Sequence, residues 1–523
     1  MFKRVCSSML IGVLLTTGIA MVPANAAKEF QFAEVTVDEL QAGYAAKTYT
    51  AEQVVQSYLD RINTYESNYN AFTVMNPDAL ALARDYDRRL AAGEKLGPLA
   101  GIPIVMKEAV DMAGFPSTMG WKPLDPSSGG IKLIPEKDAP VVARLKAAGA
   151  IIIGRTNIPA FSSDGTRAST SWAGDTYNAV DRSLAPGASS SGTATSVSGN
   201  FAVLGIAEET GGSIQNPAAA QALVGIKPTF GLVPNVGVVP LGGSTRDVVG
   251  AHGRTVHDAA LMLDAIAGYT PEDPKTVASI GNMPYDGYTS KMNDFELKGK
   301  RIGLYGPGWR NQPLTKETQA LYDRAVKELE AQGATVVADP FAGTGFAAFV
   351  KAAGSVGIES VVYDMEQYLK RLGPSAAINS VDELIAKTGQ TPAVLARYPD
   401  ALKNPSAFPD LTNFTKVRKE YLRIINAVMK RYDLDALAFP QMFKETPKLA
   451  NKTENIGATT VSEINIAGVP LVTVPAGYYA SGSPFELAFV GKMWSEADIL
   501  GMAYDYEQAT HFRKMPTLIK AAG

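Results

Sequence analysis

The sequence predicts an α/β layered fold, and three features of the chain favour this fold class. Short apolar runs recur along the chain, helical stretches lie between them, and glycine and proline residues bound them. Apolar runs of this length are typical of strands that are buried on both faces of a sheet. Such strands need helices on both sides, which gives the layered arrangement.

Residues 1–26 predict a secretory signal. A basic start is followed by an apolar run from Met9 to Val22 and by Ala24-Asn25-Ala26, a pattern typical of a cleaved signal peptide. The alternative is a retained membrane anchor, but a span normally needs about 20 apolar residues and this run is shorter. We therefore expect cleavage near Ala26, export to the periplasm or the extracellular space, and no stable membrane anchor.

A capping-box pattern, Thr50-x-x-Gln53, predicts the start of a helix, and apolar residues follow it at helical spacing from Val54 to Ile62. Eight apolar runs beyond this helix are predicted as strands: Ile102–Val105, Ile151–Ile153, Phe201–Ile206, Ile302–Tyr305, Thr335–Ala338, Ala436–Phe439, Leu471–Val474 and Phe485–Val490.

The stretch from about residue 341 to 430 differs, because it consists mostly of amphipathic helix and contains a second capping-box pattern at Ser380-x-x-Glu383. We expect a helical insertion that is added to the sheet and shapes the substrate site. Length alone suggests about three domains at ~150 residues each, but no linker rich in proline, glycine or serine divides the chain. We therefore expect one domain over residues 27–523.

Composition excludes some classes of function. The chain is 46% apolar and 19% charged, which is ordinary for a soluble globular protein. A net charge of -3 without a long basic run disfavours nucleic acid as a partner. Cys6 is the only cysteine and would leave with the signal, so the mature protein would have no disulfide and no thiol nucleophile.

Several familiar catalytic motifs are absent from the sequence, which contains no G-x-S-x-G, no H-E-x-x-H and no phosphate-binding G-x-x-x-x-G-K-[ST]. A metal site or a Ser-His pair could use His252, His257 or His511, but nothing around these residues supports either one. Structural or surface histidines are the favoured interpretation.

Two segments rich in serine and glycine, residues 186–192 and 208–215, surround the predicted strand Phe201–Ile206. Such segments are usually flexible loops. Paired glycines before Ser213, however, leave backbone N–H groups unshielded, and these suit a pocket for a developing oxyanion. The strand would anchor both loops.

A serine nucleophile needs a base, and Lys107 is the candidate because it lies in one of the most apolar stretches of the chain. A lysine that packs its stem and extends its ammonium to water is the alternative. If the ammonium is buried instead, desolvation lowers its pKa from ~10.4 toward ~7 to 8, where the amine can act as a base. Glu108 would point to the other face of the strand.

These residues resemble the amidase signature family, whose Ser-cis-Ser-Lys triad matches Lys107, Ser189 and Ser213. The resemblance is strong over residues 35–270 and looser over residues 435–515. The matching segments are Gly101-Ile102-Pro103, Gly154-Arg155-Thr156-Asn157, Gly211-Gly212-Ser213-Ile214, Gly225 to Gly231, Gly237 to Pro240, Asp247 to Gly250, Ala467 to Pro470 and Val474 to Gly477.

The resemblance implies a single α/β/α domain around a large mixed sheet, and hydrolysis through an acyl-enzyme without metal or cofactor. Ser213 would be the nucleophile, Ser189 the bridging serine after a cis peptide bond, and Lys107 the base. The implied oxyanion pocket consists of the backbone N–H groups of Thr210, Gly211, Gly212 and Ser213.

Some residues differ from the family pattern, and we expect these differences to affect the choice of substrate more than the class of reaction. Glu209 replaces an aspartate, Gln215 replaces an arginine, and Glu108-Ala109 replaces an acidic pair. Ala188 and Ser191 replace glycines around the bridging serine.

Gln215, Ser190 and Trp172 are predicted to contact the substrate. Trp121, Trp172 and Tyr177 could form an aromatic pocket wall, although packing in the core is the alternative for each.

The sequence thus predicts an exported amidase that uses water to hydrolyse small aryl or alkyl amides and amino acid or peptide amides. Carbamates and esters are possible further substrates. Two alternatives stay open. One is a component of a tRNA-dependent amidotransferase, which shares the family pattern. The other is an exported binding protein without catalysis on the same scaffold.

Overall fold

The computed structural model describes residues 30–292 and 297–520, so the predicted signal over residues 1–26 lies outside the described residues. The described residues contain eleven strands: β1 Phe72–Met75, β2 Pro103–Lys107, β3 Ile151–Thr156, β4 Leu204–Glu209, β5 Val224–Lys227, β6 Val248–Gly253, β7 Arg301–Leu304, β8 Thr335–Val337, β9 Ala436–Pro440, β10 Leu471–Tyr478 and β11 Pro484–Val490.

All eleven strands join in one sheet with the order β1-β3-β2-β4-β6-β5-β10-β11-β9-β7-β8. Parallel pairing connects β3, β2 and β4 on one side and β9, β7 and β8 on the other. The strands between these groups pair in antiparallel fashion. The predicted large mixed sheet is therefore confirmed.

Helices cover the sheet. They are α1 Val37–Ala45, α2 Ala51–Tyr65, α3 Ala79–Ala91, α4 Pro140–Ala147, α5 Ser191–Ser198, α6 Gln215–Ala220, α7 Val256–Ile266, α8 Lys316–Ala331, α9 Phe346–Ala353, α10 Val361–Arg371, α11 Val381–Thr388, α12 Ala393–Ala396, α13 Thr412–Arg431, α14 Ser462–Ala467 and α15 Glu496–Thr510. Strands β2 to β6 are buried along their whole length, which requires cover on both faces. The α/β layered prediction is confirmed.

Both predicted capping positions begin helices. At the start of α2, Thr50 Oγ1 accepts from the Gln53 N–H at 3.2 Å, and the Thr50 N–H donates to Gln53 Oε1 at 2.9 Å. At the start of α11, Ser380 Oγ accepts from the Glu383 N–H at 3.1 Å. The Glu383 carboxylate accepts instead from the Asn379 N–H, so only the first site is a complete capping box.

Each of the eight predicted runs overlaps a strand, but the run Phe201–Ile206 needs a correction. Its strand, β4, begins only at Leu204 and continues through two glutamates to Glu209. Three further strands, β1, β5 and β6, were not among the predicted runs. Apolar character alone therefore did not determine where the strands lie.

Residues 341–430 contain α9 to α13. Residues 346–371 have the length and apolar composition of a membrane-spanning helix, but they do not form one helix. Gly354 and Gly357, with φ of +62° and +97°, separate α9 from α10. Trp309, fully buried, packs with Phe341 and Phe346 in a core cluster that also includes residues of α13 and β9, and this cluster attaches the helical segment to the sheet.

Candidate active site

Lys107 is the last residue of β2 and is fully buried. Its Nζ donates hydrogen bonds to Ser189 Oγ at 2.6 Å, to the Glu208 carbonyl oxygen at 3.0 Å and to Glu208 Oε2 at 2.9 Å. Glu208 lies near the end of β4, which runs parallel to β2. Two neighbouring strands therefore bring a lysine, a glutamate and a serine into direct contact.

Burial acts in opposite directions on the two ionisable groups of this cluster. Desolvation lowers the pKa of Lys107, and the nearby Glu208 carboxylate partly opposes that shift. Desolvation also raises the pKa of Glu208 to about 7, against the attraction of the Lys107 ammonium. Both shifts disfavour the charged forms, so burial makes the neutral amine that a base requires more accessible.

Ser189 lies in the loop before α5 and is fully buried. The peptide bond between Ala188 and Ser189 is cis, as the family resemblance implies. The next residue fixes the loop to β4, because Ser190 Oγ donates to the Glu208 carbonyl oxygen at 3.2 Å. As predicted, one strand contacts both loops: β4 holds the Ser189 loop through this hydrogen bond and leads into residues 210–213, although α5 lies between the Ser189 loop and β4 in the chain.

Residues 210–213 connect β4 to the start of α6 and present unpaired backbone donors. None of their four N–H groups donates a hydrogen bond to another described residue. The Glu209 carboxylate fixes the turn by accepting from the N–H groups of Ile214 at 2.8 Å and Gln215 at 3.1 Å. Gly212 has a φ of +96°, which glycine adopts readily. Four unpaired donors on one turn suit an oxyanion.

The side chain of Thr210 is held from the neighbouring strand. Thr210 Oγ1 donates to Asp247 Oδ1 at 2.6 Å. Asp247 Oδ2 in turn accepts from the N–H groups of Leu241 and Gly242, both at 2.9 Å. Burial raises the pKa of Asp247, and these hydrogen bonds oppose the shift. Asp247 thus connects the turn of residues 210–213 to the loop before β6.

Ser213 faces a cavity of about 150 Å³. Its hydroxyl makes no hydrogen bond to another residue in the described part of the chain, and Ser189 is not among the residues that line the cavity. The lining residues are Ser162, Ser163, Asp164, Gly165, Thr210, Gly211, Ser213, Leu241, Arg246, Ile358, Val394 and Arg397.

A nucleophile candidate at a cavity, unpaired backbone donors beside it and a buried lysine–serine pair form an arrangement for acyl transfer. The sequence of residues 53–500 matches the profile of the family described as Amidase. The chain belongs to the amidase family.

Full-length relatives support this assignment. The chain is 30% identical over 495 residues to the A subunit of glutamyl-tRNA(Gln) amidotransferase from Geobacter sp. (strain M21), covering 92% of this chain and 99% of the relative. It is 32% identical over 496 residues to the corresponding protein of Alkaliphilus metalliredigens (strain QYMF), covering 92% and 98%.

Solved structures agree. The structure of the native peptide amidase from Stenotrophomonas maltophilia superposes with a TM-score of 0.79 at 32% identity, over 94% of this chain and 100% of that one. An amidase family protein from Bacillus anthracis superposes with a TM-score of 0.76 at 27% identity, over 92% of each chain. The amidase fold therefore spans nearly the whole chain.

None of the three predicted substrate contacts of this amidase, Gln215, Ser190 and Trp172, lines the cavity. Gln215 is fully buried; its Nε2 donates to Glu209 Oε1 at 2.5 Å and its Oε1 accepts from Thr460 Oγ1 at 3.0 Å. Ser190 is also fully buried, and it bonds to the backbone of Glu208 as described above. The prediction is corrected for both residues, because each holds a loop in place and neither lines the cavity.

The three aromatic residues predicted to form a pocket wall contact other side chains of the protein instead. Trp172 is half-buried and its Nε1 donates to Thr118 Oγ1 at 2.8 Å. The ring centroid of Trp121 lies 5.3 Å from that of Phe161. Tyr177 lies under the Arg182 guanidinium at 4.5 Å. None of the three predicted aromatic residues lines the cavity, so an aromatic wall at Ser213 is not what the structure shows.

The histidines of this amidase lie outside the lysine–serine cluster. His252 is buried on β6, where its Nε2 hydrogen-bonds the Ile214 carbonyl at 2.9 Å and desolvation lowers its pKa to about 4. His257 pairs with Asp38 at 3.6 Å, and His511 follows the end of α15. Among the described residues, no group of three His, Cys, Asp or Glu side chains is arranged to hold a metal ion.

Three residues of the site were given no role in the sequence prediction: Glu208, Arg246 and Asp247. Each sits at a strand end beside a predicted residue. A usable signal existed for Glu208, because an acidic pair that ends an apolar strand next to a serine–glycine loop is unusual for a buried element. Arg246 offered no comparable signal, since its burial depends on contacts with the distant helical segment.

Proposed function

We propose that this amidase hydrolyses small carboxylic amides through an acyl-enzyme on Ser213, with Ser189 and Lys107 as the proton relay. The observation that carries the proposal is the 2.6 Å hydrogen bond between Lys107 Nζ and Ser189 Oγ, buried beside a turn of unpaired N–H groups that ends in Ser213. A buried lysine that contacts a serine can serve as a base.

Acylation begins when the substrate carbonyl oxygen enters the turn of residues 210–213. Ser213 Oγ attacks the carbonyl carbon, its proton passes to Ser189 Oγ, and the Ser189 proton passes to Lys107 Nζ. The Ser213 hydroxyl turns toward Ser189 as substrate binds, since catalytic hydrogen bonds often close only in the complex. The backbone N–H groups stabilise the negative oxygen of the tetrahedral intermediate.

The C–N bond then breaks. The amine leaves with the proton that Lys107 returns through Ser189, because an unprotonated amide nitrogen is a poor leaving group. Water enters, loses a proton to the same relay and attacks the ester carbon of the acyl-enzyme. The Ser213–acyl bond breaks, the relay returns the proton from Lys107 through Ser189 to Ser213 Oγ, and the acid is released. Carbamates and esters pass through similar tetrahedral states, so the same machinery reaches them.

Ser213→Ala tests the proposal, with a chromogenic anilide as substrate and a fluorophosphonate as an active-site label. We expect the variant to lose anilide hydrolysis and fluorophosphonate labelling while its circular dichroism spectrum stays unchanged. Normal turnover by the Ser213→Ala protein would refute the assignment.

Lys107→Ala tests the base, and we expect a loss of at least ~100-fold in kcat/KM, the lower range for a positioned proton carrier. The matched control is Lys227→Met. Lys227 is a second fully buried lysine, but its Nζ donates to the carbonyl oxygens of Pro228 at 3.0 Å and Val469 at 2.7 Å. Equal losses in both variants would assign Lys107 to packing.

A second candidate function comes from the relatives. The two relatives named above are components of glutamyl-tRNA(Gln) amidotransferase, and this chain covers 98% or more of their length. In that function the chain would act within a complex. Hydrolysis of amides by the purified chain alone favours the amidase, whereas activity that appears only with a partner protein favours the amidotransferase.

Export is a separate proposal that rests on the sequence of residues 1–26, with their basic start, apolar run and small residues. N-terminal sequencing of the protein from a periplasmic or culture fraction tests it. A chain that begins near Ala27 supports cleavage and export, and an intact Met1 in the cytoplasmic fraction contradicts both.

A further inference from the structure

Arg246 is a buried cation in the wall of the Ser213 cavity. Only 3% of its surface is exposed. Its Nη1 donates to Ser355 Oγ at 3.1 Å and to the Val356 carbonyl at 3.0 Å. Its Nε has no hydrogen-bond partner among the described residues. The protein therefore provides hydrogen-bond acceptors for Nη1, and the described residues provide none for Nε or Nη2.

Nearby carboxylates act on this charge only without direct contact. Among the described residues none makes an ion pair with the Arg246 guanidinium. The three nearby acids are engaged elsewhere. Asp247 accepts from Thr210 and from the backbone, Glu359 accepts from the Gly357 N–H at 2.6 Å, and Glu209 accepts from the Ile214 and Gln215 N–H groups. A buried charge without a partner is costly, which favours an anion supplied from outside.

The free side of the guanidinium faces the reaction centre. A methyl group built on Gly211 would lie 3.8 Å from Arg246 Nη2, so this nitrogen stands beside the turn of residues 210–213. Arg246 and Gly211 line the same cavity as Ser213. An anionic group bound there is close to the carbonyl carbon that Ser213 attacks.

The remaining charges of the cavity also favour an anion. Arg397 lines it and is exposed. Asp164 is the one acidic residue of the lining, and its Oδ1 already accepts from the N–H groups of Thr166 at 2.6 Å and Arg167 at 3.1 Å. Two guanidinium groups thus face one carboxylate, and the lining carries a net positive charge.

The helical segment holds Arg246 in this position. Ser355 and Val356, which accept from its Nη1, lie between α9 and α10. The neighbouring Thr245 Oγ1 donates to the Gly357 carbonyl, and Ser244 bonds to Asp364 of α10. The guanidinium is fixed before any ligand arrives, and such preorganisation favours binding.

We propose that Arg246 binds a carboxylate carried by the substrate, so that the enzyme selects small amides with a free carboxylate group. The proposal rests on the proposed hydrolysis at Ser213 and adds the substrate class. Arg246 Nη2, which bonds to no described residue and lies beside Gly211, offers charged N–H donors that a carboxylate accepts. A cavity of about 150 Å³ is smaller than the pockets that hold drug-sized ligands, which favours short substrates.

Matched substrate pairs test the proposal and also locate the carboxylate. In the first pair, succinamate carries it on the acyl part, and 4-oxopentanamide replaces it with a methyl ketone. In the second pair, N-acetylglycine carries it on the amine part, and N-(2-oxopropyl)acetamide is its neutral counterpart. We expect the charged member of one pair to have the higher kcat/KM, and Arg246→Gln to reduce that charged-to-neutral ratio by at least about 30-fold.

Two further variants control for folding. Arg254→Gln removes an arginine that is equally buried, at 3% exposure, but donates to the carbonyl oxygens of Ala202 at 2.7 Å and Val35; it should keep the wild-type ratio. Arg246→Lys retains the positive charge without the planar guanidinium and should give an intermediate charged-to-neutral ratio. The same ratio in wild type and both Arg246 variants would overturn the proposal.

Titration calorimetry of succinate binding to the Ser213→Ala protein tests the carboxylate site independently of hydrolysis. We expect binding that weakens with Arg246→Gln added. If a neutral anilide is hydrolysed through Ser213 but succinate binding does not depend on Arg246, the carboxylate site is wrong and the amidase function stands. If succinate binds through Arg246 but no amide is hydrolysed, the amidase function fails and the carboxylate site stands.

Discussion

At the scale of single residues, we expect the contact between Lys107 and Glu208 to determine the pH range in which the proposed relay works. One proton shared by the two groups leaves the pair able to accept another. A second proton makes Lys107 an ammonium beside a neutral carboxyl, and the relay is then blocked. Because the pKa of Glu208 is raised to about 7, we expect the second proton to enter as the pH falls through that value.

The first prediction follows from this pair. In the wild type, we expect kcat/KM to fall as the pH decreases below about 7, the raised pKa of Glu208. In Glu208→Gln, Lys107 loses the carboxylate that raises its pKa, so the amine stays neutral to lower pH and the acidic limb of the profile moves down by about one unit or more. The pH dependence of anilide hydrolysis measures this shift.

Glu108→Gln is the control for that prediction. Glu108 is adjacent to Lys107 and equally buried, but its carboxylate accepts from the Thr118 N–H at 2.6 Å and the Gly120 N–H at 3.1 Å. Its replacement should lower stability and leave the acidic limb in place. A limb that moves equally in both variants would show that neither glutamate is specifically coupled to the relay.

The same residues show how far sequence reasoning reached. An apolar setting singled out Lys107, yet Lys227 lies in a comparable setting and is equally buried. The two differ in what the ammonium touches, Ser189 in one case and backbone carbonyls in the other. Spacing and composition carry no information on that contact, so only the family resemblance distinguished the two lysines.

At the scale of elements, the turn of residues 210–213 depends on Gly212. Its φ of +96° lies outside the range of ordinary side chains, and a methyl group there would lie 2.7 Å from Asn216 Nδ2. A substitution must therefore move the backbone that points the N–H groups at the cavity. In the proposed mechanism, the turn contributes its backbone N–H groups to the oxyanion pocket in addition to the Ser213 hydroxyl.

Gly212→Ala should consequently impair catalysis more than folding. We expect kcat to fall by about 100- to 1,000-fold, the range for losing an oxyanion donor, and stability to fall by only about 1–2 kcal/mol. Gly93→Ala supplies the comparison, because Gly93 has a φ of +80° with nothing within 4 Å of the added methyl. Similar kcat losses in the two variants would contradict a special role for the turn.

Glycine explains why the sequence did not reveal β6. β6 contains Gly250, where a methyl group would lie 1.9 Å from the Ile226 carbonyl oxygen of β5. The close approach of these two strands requires glycine, whereas glycine in a sequence favours the prediction of a turn. The uninterrupted apolar runs of β3 and β9 were recognised because burial on both faces selects apolar side chains.

At the scale of the whole molecule, the Trp309 cluster joins the helical segment to the sheet. The Trp309 ring centroid lies 4.9 Å from that of Phe341, 4.6 Å from that of Phe346 and 5.0 Å from that of Phe439 on β9. Its Nε1 donates to Glu463 Oε1 at 3.1 Å. A core of this kind that is shared between segments predicts cooperative unfolding.

The prediction is that the described chain unfolds in one transition, with the helical segment and the sheet losing structure together. Trp309→Leu removes ring contacts on three sides and leaves the buried Glu463 without one donor. We expect it to lower the free energy of unfolding by about 3 kcal/mol or more, because the cavity and the lost hydrogen bond add. Calorimetry and urea titration measure both quantities. Two separate transitions in the wild type, with Trp309→Leu affecting only one, would instead show that residues 341–430 form an independent unit, and Arg246 would then depend on a segment that can unfold without the active site.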